Sequence, residues 1–412
     1  MEGCTLPRTL MIVGAGAEQV PAYIAAKKRG LMVVGTDLNP NAPGFAYADH
    51  RILVSTRDAD ATETEAVKFC RTTPIHGVMT IANDVPYTVA RVANAIGLPS
   101  ISLDAAKCVT DKQLMKERFK ENEVACPWFS EVESLDSLRK HFDAKPSQSF
   151  VLKPVDGRGA RGVLLINDEI DLEWAFTDSK RWGDCGRLIL EEFIQGLQLS
   201  TESFIHQGEC YTAAIAERNY SRLEQFAPNI IEDGGTIPAL LSADLKSKIN
   251  NLILQGARAL GIHDGIVKGD IVVDGNGEPL IIELAARLSG GWFATHQIPA
   301  ATGIDLVDAV ITFSLGEKID VKSLLPSKDR ATAIRYWFPP SGRIRNISGE
   351  ADLKKSPGLL AFGFFRNVGD IQPEIKTHPD RFGYVIVEGG NRDEVISRAN
   401  IALACIKLEV HS

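Results

Sequence analysis

Asp270 and Glu283 stand at the outer ends of two apolar runs, Ile271-Val272-Val273 and Leu280-Ile281-Ile282. Between the runs lies Asp274-Gly275-Asn276-Gly277. A turn of that composition between short apolar runs reads as a β-hairpin. Closing the hairpin brings the two carboxylates to the same end. Arg287 follows closely, and then the flexible Ser289-Gly290-Gly291. Two oxygen ligands and one cation at one end of a hairpin suit Mg²⁺ carrying a polyphosphate, because Mg²⁺ usually takes one or two carboxylates and phosphate oxygens. An ordinary hairpin with solvated charges would look the same, so other stretches must be weighed with it.

Phe150–Pro154 reads as a strand with Lys153 near its end, and Val163–Ile166 as a return strand. The connection, Val155-Asp156-Gly157-Arg158-Gly159-Ala160-Arg161-Gly162, makes a flap. Glycines let backbone N–H groups approach phosphate oxygens, and Arg158 and Arg161 add charge. The spacing is not G-x-x-x-x-G-K-[ST], so no P-loop fold is implied. A plain turn is the commoner meaning of such a loop taken alone. Leu188–Gly196, LILEEFIQG, reads as a strand running into a connector whose apolar walls and free backbone groups could hold an adenine; a plain buried strand is the alternative. Residues 218–235, RNYSRLEQFAPNIIEDGG, form a polar, irregular segment ahead of a helix at Ala243–Leu260. Its position suggests a substrate loop with Arg218, Tyr220 and Glu232 as contacts, against the default of a surface loop. His296 could touch substrate, though packing is the commoner fate of such a histidine. No trustworthy Ser/His/Asp or Cys/His arrangement is present.

These groups need a scaffold. Leu10–Val13 reads as a buried strand, Gly14-Ala15-Gly16 as a turn, Val20–Arg29 as a helix ended by Gly30, and Leu31–Asp37 as the next strand. Such a strand–helix–strand unit starts a parallel doubly wound sheet. Further strands fit at Arg51–Val54, Gly77–Ile81 and Pro99–Ser100, with helices at Thr62–Arg71 and Val85–Ile96. Asp37 suits a ribose ligand, but Gln19 occupies the place of the third glycine of G-x-G-x-x-G, which argues against a dinucleotide site. Asp111-Lys112 opens a strong helix, KQLMKERFKEN.

A chain of 412 residues implies several domains, about two to four. Hydrophobic residues at 44% and charged residues at 24% are those of a globular protein. The net charge of -8, with no long basic run, argues against nucleic acid or an anionic membrane as the main partner. No apolar run is long enough to span a bilayer, and the N-terminal apolar stretch reads as a first strand, not a signal peptide. The seven cysteines, Cys4, Cys70, Cys108, Cys126, Cys185, Cys210 and Cys405, are scattered and contain no C-x-x-C pair. That speaks against a disulfide framework or structural zinc and for a reducing cytoplasm.

Taken in order, four stretches resemble the ATP-grasp superfamily. They are D-K-x-x-M-K at Asp111–Lys116, V-L-K-P-x-x-G-x-G-x-x-G at Val151–Gly162, L-E-E-F-I-x-G at Leu190–Gly196, and G-D-I-x-V-D-x-x-G-x-P-x-I-I-E-x-x-x-R-x-x-G-G at Gly269–Gly291. Within the superfamily the chain is most similar to carboxylate-amine ligases of the L-amino-acid ligase type. Ile334–Arg345 and Arg381–Arg398 are similar to the C-terminal portion of those ligases.

The resemblance implies a mixed α/β and α+β architecture. Residues 1–105 would form an N-terminal Rossmann-like domain, 106–195 a central lid domain, 196–329 an antiparallel-sheet catalytic domain with the metal hairpin, and 330–412 a C-terminal α+β portion. It also implies ATP with Mg²⁺, or Mn²⁺ in its place. Lys112 and Lys153 would contact the phosphates, under a flap of Gly157, Arg158, Gly159, Ala160, Arg161 and Gly162. Glu191, Glu192 and Ile194 would bracket the adenine, the last two through backbone groups. Asp270 and Glu283 would hold the metal, Arg287 and Lys153 would serve catalysis, and Ser289, Gly290, Gly291 and His296 would meet substrate. Four departures stand out. Gln198 occupies the place of the usual ribose-binding acid, with Glu202 four residues on; Ala285 replaces a frequent asparagine ligand, Asp270 stands where glutamate is usual, and Lys268 replaces a frequent histidine. These put a second metal ion in doubt.

The implied reaction is phosphorylation of a carboxylate, with no protein nucleophile required, followed by attack of an amine on the acyl phosphate. The protein then supplies alignment and charge neutralisation. The partners would be a small carboxylic acid and an amine; many members are homodimers, and nothing in this sequence shows one. Two other readings compete: a purine-synthesis or carboxylase-type enzyme of the same superfamily, and a nucleotide-binding subunit without turnover. The absence of a Met-Lys-Met run disfavours the biotin version.

Overall fold

The computed structural model describes residues 7–144 and 148–411. The first unit is a parallel sheet of β1 (Thr9–Val13), β2 (Met32–Asp37), β3 (His50–Leu53) and β4 (Gly77–Met79), in the order β3-β2-β1-β4. All five residues of β1 are buried, as expected of a central parallel strand covered on both faces. The fifth strand expected at Pro99–Ser100 does not form. Pro99 has no N–H for a ladder, and Ser102 caps a helix, Leu103–Cys108, by accepting from the Ala105 N–H at 3.0 Å. At the β1 turn the Gln19 side chain takes up the space a dinucleotide loop would keep open, donating to the Ile81 carbonyl at 2.8 Å. Asp37 accepts instead from the Ala15 and Asn39 backbone N–H groups.

A second, antiparallel sheet carries the flap. Its strands are β5 (Phe129–Val132), β6 (Phe150–Pro154), β7 (Leu164–Ile166) and β8 (Leu188–Glu192), in the order β5-β8-β6-β7. Phe150, Leu152, Leu164, Leu188 and Leu190 pack with Leu138 and Ala175 of two covering helices, Leu135–Asp143 and Leu172–Lys180. The flap joins β6 to β7.

The largest sheet contains β9 (Leu197–His206), β10 (Glu209–Asn219), β11 (Gly234–Ile237), β12 (Gly265–Val273), β13 (Pro279–Ala285), β14 (Ala331–Trp337), β16 (Leu359–Phe364) and β18 (Gly383–Gly389). Their order is β13-β12-β9-β10-β11-β14-β18-β16, with every neighbouring pair antiparallel. The sheet runs unbroken through β14, so the division expected at residue 330 does not interrupt it. The segment expected to be irregular at 218–235 is also more ordered: Arg218 lies within β10, and a short helix, Leu223–Phe226, precedes β11. A small sheet of β15 (Gly342–Ser348), β17 (Ile371–Gln372) and β19 (Lys407–His411) completes the tail.

Two joints fix the units relative to each other. Ile81 bridges Leu288 in parallel, and the Ala82 N–H donates to the Leu288 carbonyl at 3.0 Å, tying the end of the first sheet to the loop after β13. Helix Lys112–Glu121, capped by Asp111, sends the buried Lys116 ammonium to the Ile281 carbonyl at 3.1 Å. Six cysteines are free; Cys4 lies outside the described residues. Among the described residues no helix is long and apolar enough to cross a membrane.

Candidate active site

A cavity of about 940 Å³ opens between the flap sheet, the large sheet, the end of the first sheet and the tail. The hairpin expected from the sequence is β12–β13. Asp270 and Glu283 are cross-strand partners in its register, so their side chains project from one end of the pair, and both line the cavity.

At the flap end, Lys153 lies on the cavity wall beside Glu191. The Glu191 carboxylate is fully buried between Lys153 at 2.9 Å and Lys116 at 3.5 Å. Burial pushes this carboxyl's pKa up, but the two ammonium groups outweigh burial and hold it below the usual range. Glu191 therefore holds Lys153 in place through Oε2, while its Oε1 has no hydrogen-bond partner among the described residues. Two lysines share one carboxylate, which leaves a positive charge for an anion to meet. Lys112 donates to the Gly157 carbonyl at 2.8 Å and stands 3.5 Å from Glu283, joining the flap's root to the hairpin. Glu192, Ile194 and Gln198 also line this end. The Glu192 N–H is already donated to the Trp128 carbonyl at 2.9 Å.

Gly157, Arg158, Gly159, Ala160 and Arg161 line the cavity, whereas Gly162 does not. Gly162 has φ +66°, and a Cβ there would meet the Ser179 carbonyl at 2.9 Å, so it anchors the flap against the helix behind it. Across the cavity the flap meets the tail: the His378 N–H donates to the Gly159 carbonyl at 3.2 Å.

Asp270 is heavily neutralised. Its carboxylate takes the Arg218 guanidinium at 2.9 Å and pairs with the Lys268 ammonium. Those cations outweigh burial and hold the carboxyl at about 2. Arg218 also pairs with Glu232, so the three residues expected to act as a loose substrate loop instead include a half-buried ion pair beside Asp270. Arg218 further lies 5.5 Å from the Tyr220 ring centroid.

At the other end, Arg287 is held by Asp84, with contacts of 2.7 and 2.5 Å. Ser289, Gly290 and Gly291 line the cavity. The Gly291 N–H donates to Glu18 at 2.6 Å, and a Cβ on Gly290 would stand 2.7 Å from the same carboxylate oxygen. Gly291 and Trp292 both have left-handed backbones, φ +62° and +56°. That conformation is costly for tryptophan, and it turns the indole onto Tyr384, with ring centroids 3.5 Å apart. Glu202 does not line the cavity. It is completely buried behind Ser289, whose N–H donates to it at 3.2 Å, and burial raises its carboxyl to about 7. His296 does not line the cavity; it faces the Thr295 hydroxyl at 2.9 Å, and burial lowers its pKa.

Sequence reasoning missed Glu18, Asp84, Tyr336, Phe365, His378 and Arg381, all of which line the cavity. A usable signal existed for two of them. Glu18 and Asp84 follow the carboxyl ends of β1 and β4, which is where open parallel sheets bind ligands.

The family comparison fits this geometry. The profile described as "ATP-grasp domain" matches residues 109–291. Residues 109–291 thus carry an ATP-grasp domain. The profile "L-amino acid ligase C-terminal domain 2" matches residues 335–411 of this ATP-grasp chain. It is 23% identical over 337 residues to an alanine–anticapsin ligase of Bacillus subtilis, covering 74% of this chain and 67% of the relative. It is 25% identical over 343 residues to a phosphoribosylamine–glycine ligase of Methanobrevibacter smithii, covering 77% and 76%. The structure of an L-amino acid ligase from Bacillus licheniformis superposes with a TM-score of 0.83 at 21% identity, covering 99% of this chain and all of that one.

Proposed function

We propose that this ATP-grasp protein is an ADP-forming ligase that activates a small carboxylic acid, an amino acid or similar, as an acyl phosphate and joins it to an amine. The observation that carries this reading is that one cavity brings together the Lys153 and Lys112 ammonium groups, the Arg158–Arg161 flap, the Asp270–Glu283 pair and Arg287. That order of charges suits a triphosphate lying under the flap, with its terminal phosphate toward Arg287.

The donor set suits a metal carried by the nucleotide. Among the described residues no three His, Cys, Asp or Glu side chains are grouped to hold a metal alone. Two carboxylates are what a phosphate-bound Mg²⁺ needs from protein. Glu283 and Asp270 would hold it, and it would neutralise charge on the phosphates. Asp270 would do so while still paired to Arg218 and Lys268.

The chain's own residues account for the remaining work. Lys153, positioned by Glu191, neutralises charge during phosphoryl transfer from ATP to the acid. Arg287, fixed by Asp84, meets the transferred phosphoryl group. The substrate carboxylate oxygen forms the new P–O bond and ADP leaves. The flap, held to the tail at Gly159 and His378, keeps water from the acyl phosphate. The amine nitrogen then forms the C–N bond as the C–O bond to phosphate breaks. The glycine ligase relative favours a second reading, a purine-synthesis ligase, whereas the tail's match to the L-amino acid ligase domain supports the first.

The test is phosphate release from Mg-ATP in the presence of pools of amino acids and other carboxylates, with hydroxylamine as a promiscuous amine. Release dependent on one pool, with a hydroxamate formed, supports the ligase. Release with bicarbonate alone supports the carboxylase-type reading. ATP binding without release from any pool would sink both.

A further inference from the structure

The flap is gripped at two places by parts of the chain outside its own sheet. β7 is the outer strand of the flap sheet. Its Leu165 N–H donates to the Pro228 carbonyl at 2.7 Å, beside a bridge between Leu164 and Asn229. That grip covers part of an edge that would otherwise stand open. The second grip is at the tip, where the Gly159 carbonyl takes the His378 N–H at 3.2 Å. Gly159 has φ +62°, and a Cβ there would stand 3.6 Å from Pro379 Cδ, so the tail lies against the tip. The loop that carries Pro228 is fastened to the same part of the tail, because Phe226 and Ile231 pack with Ile375.

The tip's partner is a single helical turn, His378–Asp380. The first N–H of a helical turn has no partner inside it, and here it goes to the flap. So short a turn does not hold its shape alone. Asp380 closes its leading end, accepting the Thr377 N–H and hydroxyl at 2.7 Å each. Arg366 closes the other end. Its guanidinium donates to three consecutive carbonyls, Pro379 and Asp380 at 3.3 Å and Arg381 at 2.8 Å. A planar fork can span them, and its charge suits the carbonyl end of a turn. Arg366 is half-buried and does not line the cavity, so its contacts serve the turn and not a ligand.

We propose that Arg366 is a positioning residue for the flap: it fixes the turn whose His378 N–H holds the flap tip, so that the tail sets how often the flap opens. The consequence for catalysis rests on the ligase reading above. Each opening lets water reach the acyl phosphate. A water oxygen then bonds to the acyl carbon and the C–O bond to phosphate breaks. The acid anion, hydrogen phosphate and a proton are released, and one ATP is consumed without product.

The experiment uses the full-length protein, trypsin, and the acid found active in the hydroxamate assay. Trypsin cuts after Arg158 and Arg161 of the flap at a rate that follows the open population. The readout is flap cutting relative to cutting at another site in the same sample, so general unfolding cancels. R366Q removes the fork, and R366K restores part of it. H378P removes the N–H; proline suits the first position of a turn, and Thr377 before it is already extended. H378A removes the same imidazole and keeps the N–H. R366Q and H378P are expected to raise the relative cutting rate about tenfold, the range of a lost hydrogen bond. H378A should stay near wild type, and R366K should fall between. Phosphate released in excess of hydroxamate should rise about tenfold in the same two variants. Relative cutting within about twofold of wild type for R366Q and H378P, on the scale of a neutral change, overturns the proposal. So does H378A cut as fast as H378P, or faster cutting with no added loss of phosphate. A wild type that forms no hydroxamate with any acid overturns the ligase reading instead, while the cutting ratios still decide whether the tail holds the flap.

Discussion

The two ends of the cavity hold their charges in different ways. At the nucleotide end, Lys116, Lys153 and Glu191 are almost fully buried and pair with one another. They come from neighbouring elements of the flap unit and its leading helix. At the substrate end the pairs join distant parts of the chain. Asp84 and Arg287 are 203 residues apart, and Glu18 and Gly291 are 273 apart. The first arrangement centres on one carboxylate in the flap unit and is tied to the large sheet through Lys116 and the Ile281 carbonyl. The second exists only when the first sheet, the β13 loop and the tail are docked together. The nucleotide end is thus coupled to folding, and the substrate end to alignment, where sequence change can alter specificity at smaller cost in stability.

Breaking the central pair at each end separates these roles. E191Q is expected to leave two buried ammonium groups without their carboxylate and to cost about 3–5 kcal/mol of stability, seen as a lower denaturation midpoint. A midpoint within experimental scatter of wild type would contradict the contrast.

The next effect is on pH dependence at the substrate end. The folded Glu202 carboxyl titrates near 7, above its ordinary 4.5. Its contribution to stability is therefore complete below about 4.5 and lost as pH rises through about 7. E202Q removes that loss. The stability of the variant relative to wild type should rise between pH 5 and 8, by about 3 kcal/mol at most. A flat difference across that window would refute the assignment.

D84N should leave the midpoint nearly unchanged and cut the rate of acid activation about a hundredfold, because Arg287 loses its positioning partner but keeps its charge. An unchanged rate would show that the Asp84 contact does not align Arg287. The smallest effect is expected of H296A, which should change kcat and KM by less than about twofold, as for residues outside a site. A larger kinetic loss would return His296 to the substrate wall.

This contrast also explains what the sequence could disclose. The flap and the β12–β13 hairpin are local: Lys153, Gly157, Asp270 and Glu283 are read from spacing because turns and strand register place them. The motif gives Glu191 its place on β8 but not the Lys116 ammonium, from the helix Lys112–Glu121, that pairs with its carboxylate. Arg381 carries no local pattern, and Glu18 and Asp84 carry only their place after the carboxyl ends of β1 and β4. Their role arises from docking across sequence separations that periodicity does not report. His296 is close in sequence to Gly291, yet the left-handed turn at Gly291 and Trp292 directs Trp292 and Phe293 to the cavity and leaves His296 off its wall.

The central claim is that a carboxylate becomes an acyl phosphate in this cavity. The direct measurement is oxygen transfer, with the active acid labelled with ¹⁸O in its carboxyl group and turned over with Mg-ATP and amine. The account predicts one labelled oxygen in each phosphate released, with ADP as the nucleotide product. Unlabelled phosphate, or AMP and pyrophosphate in place of ADP, would contradict it.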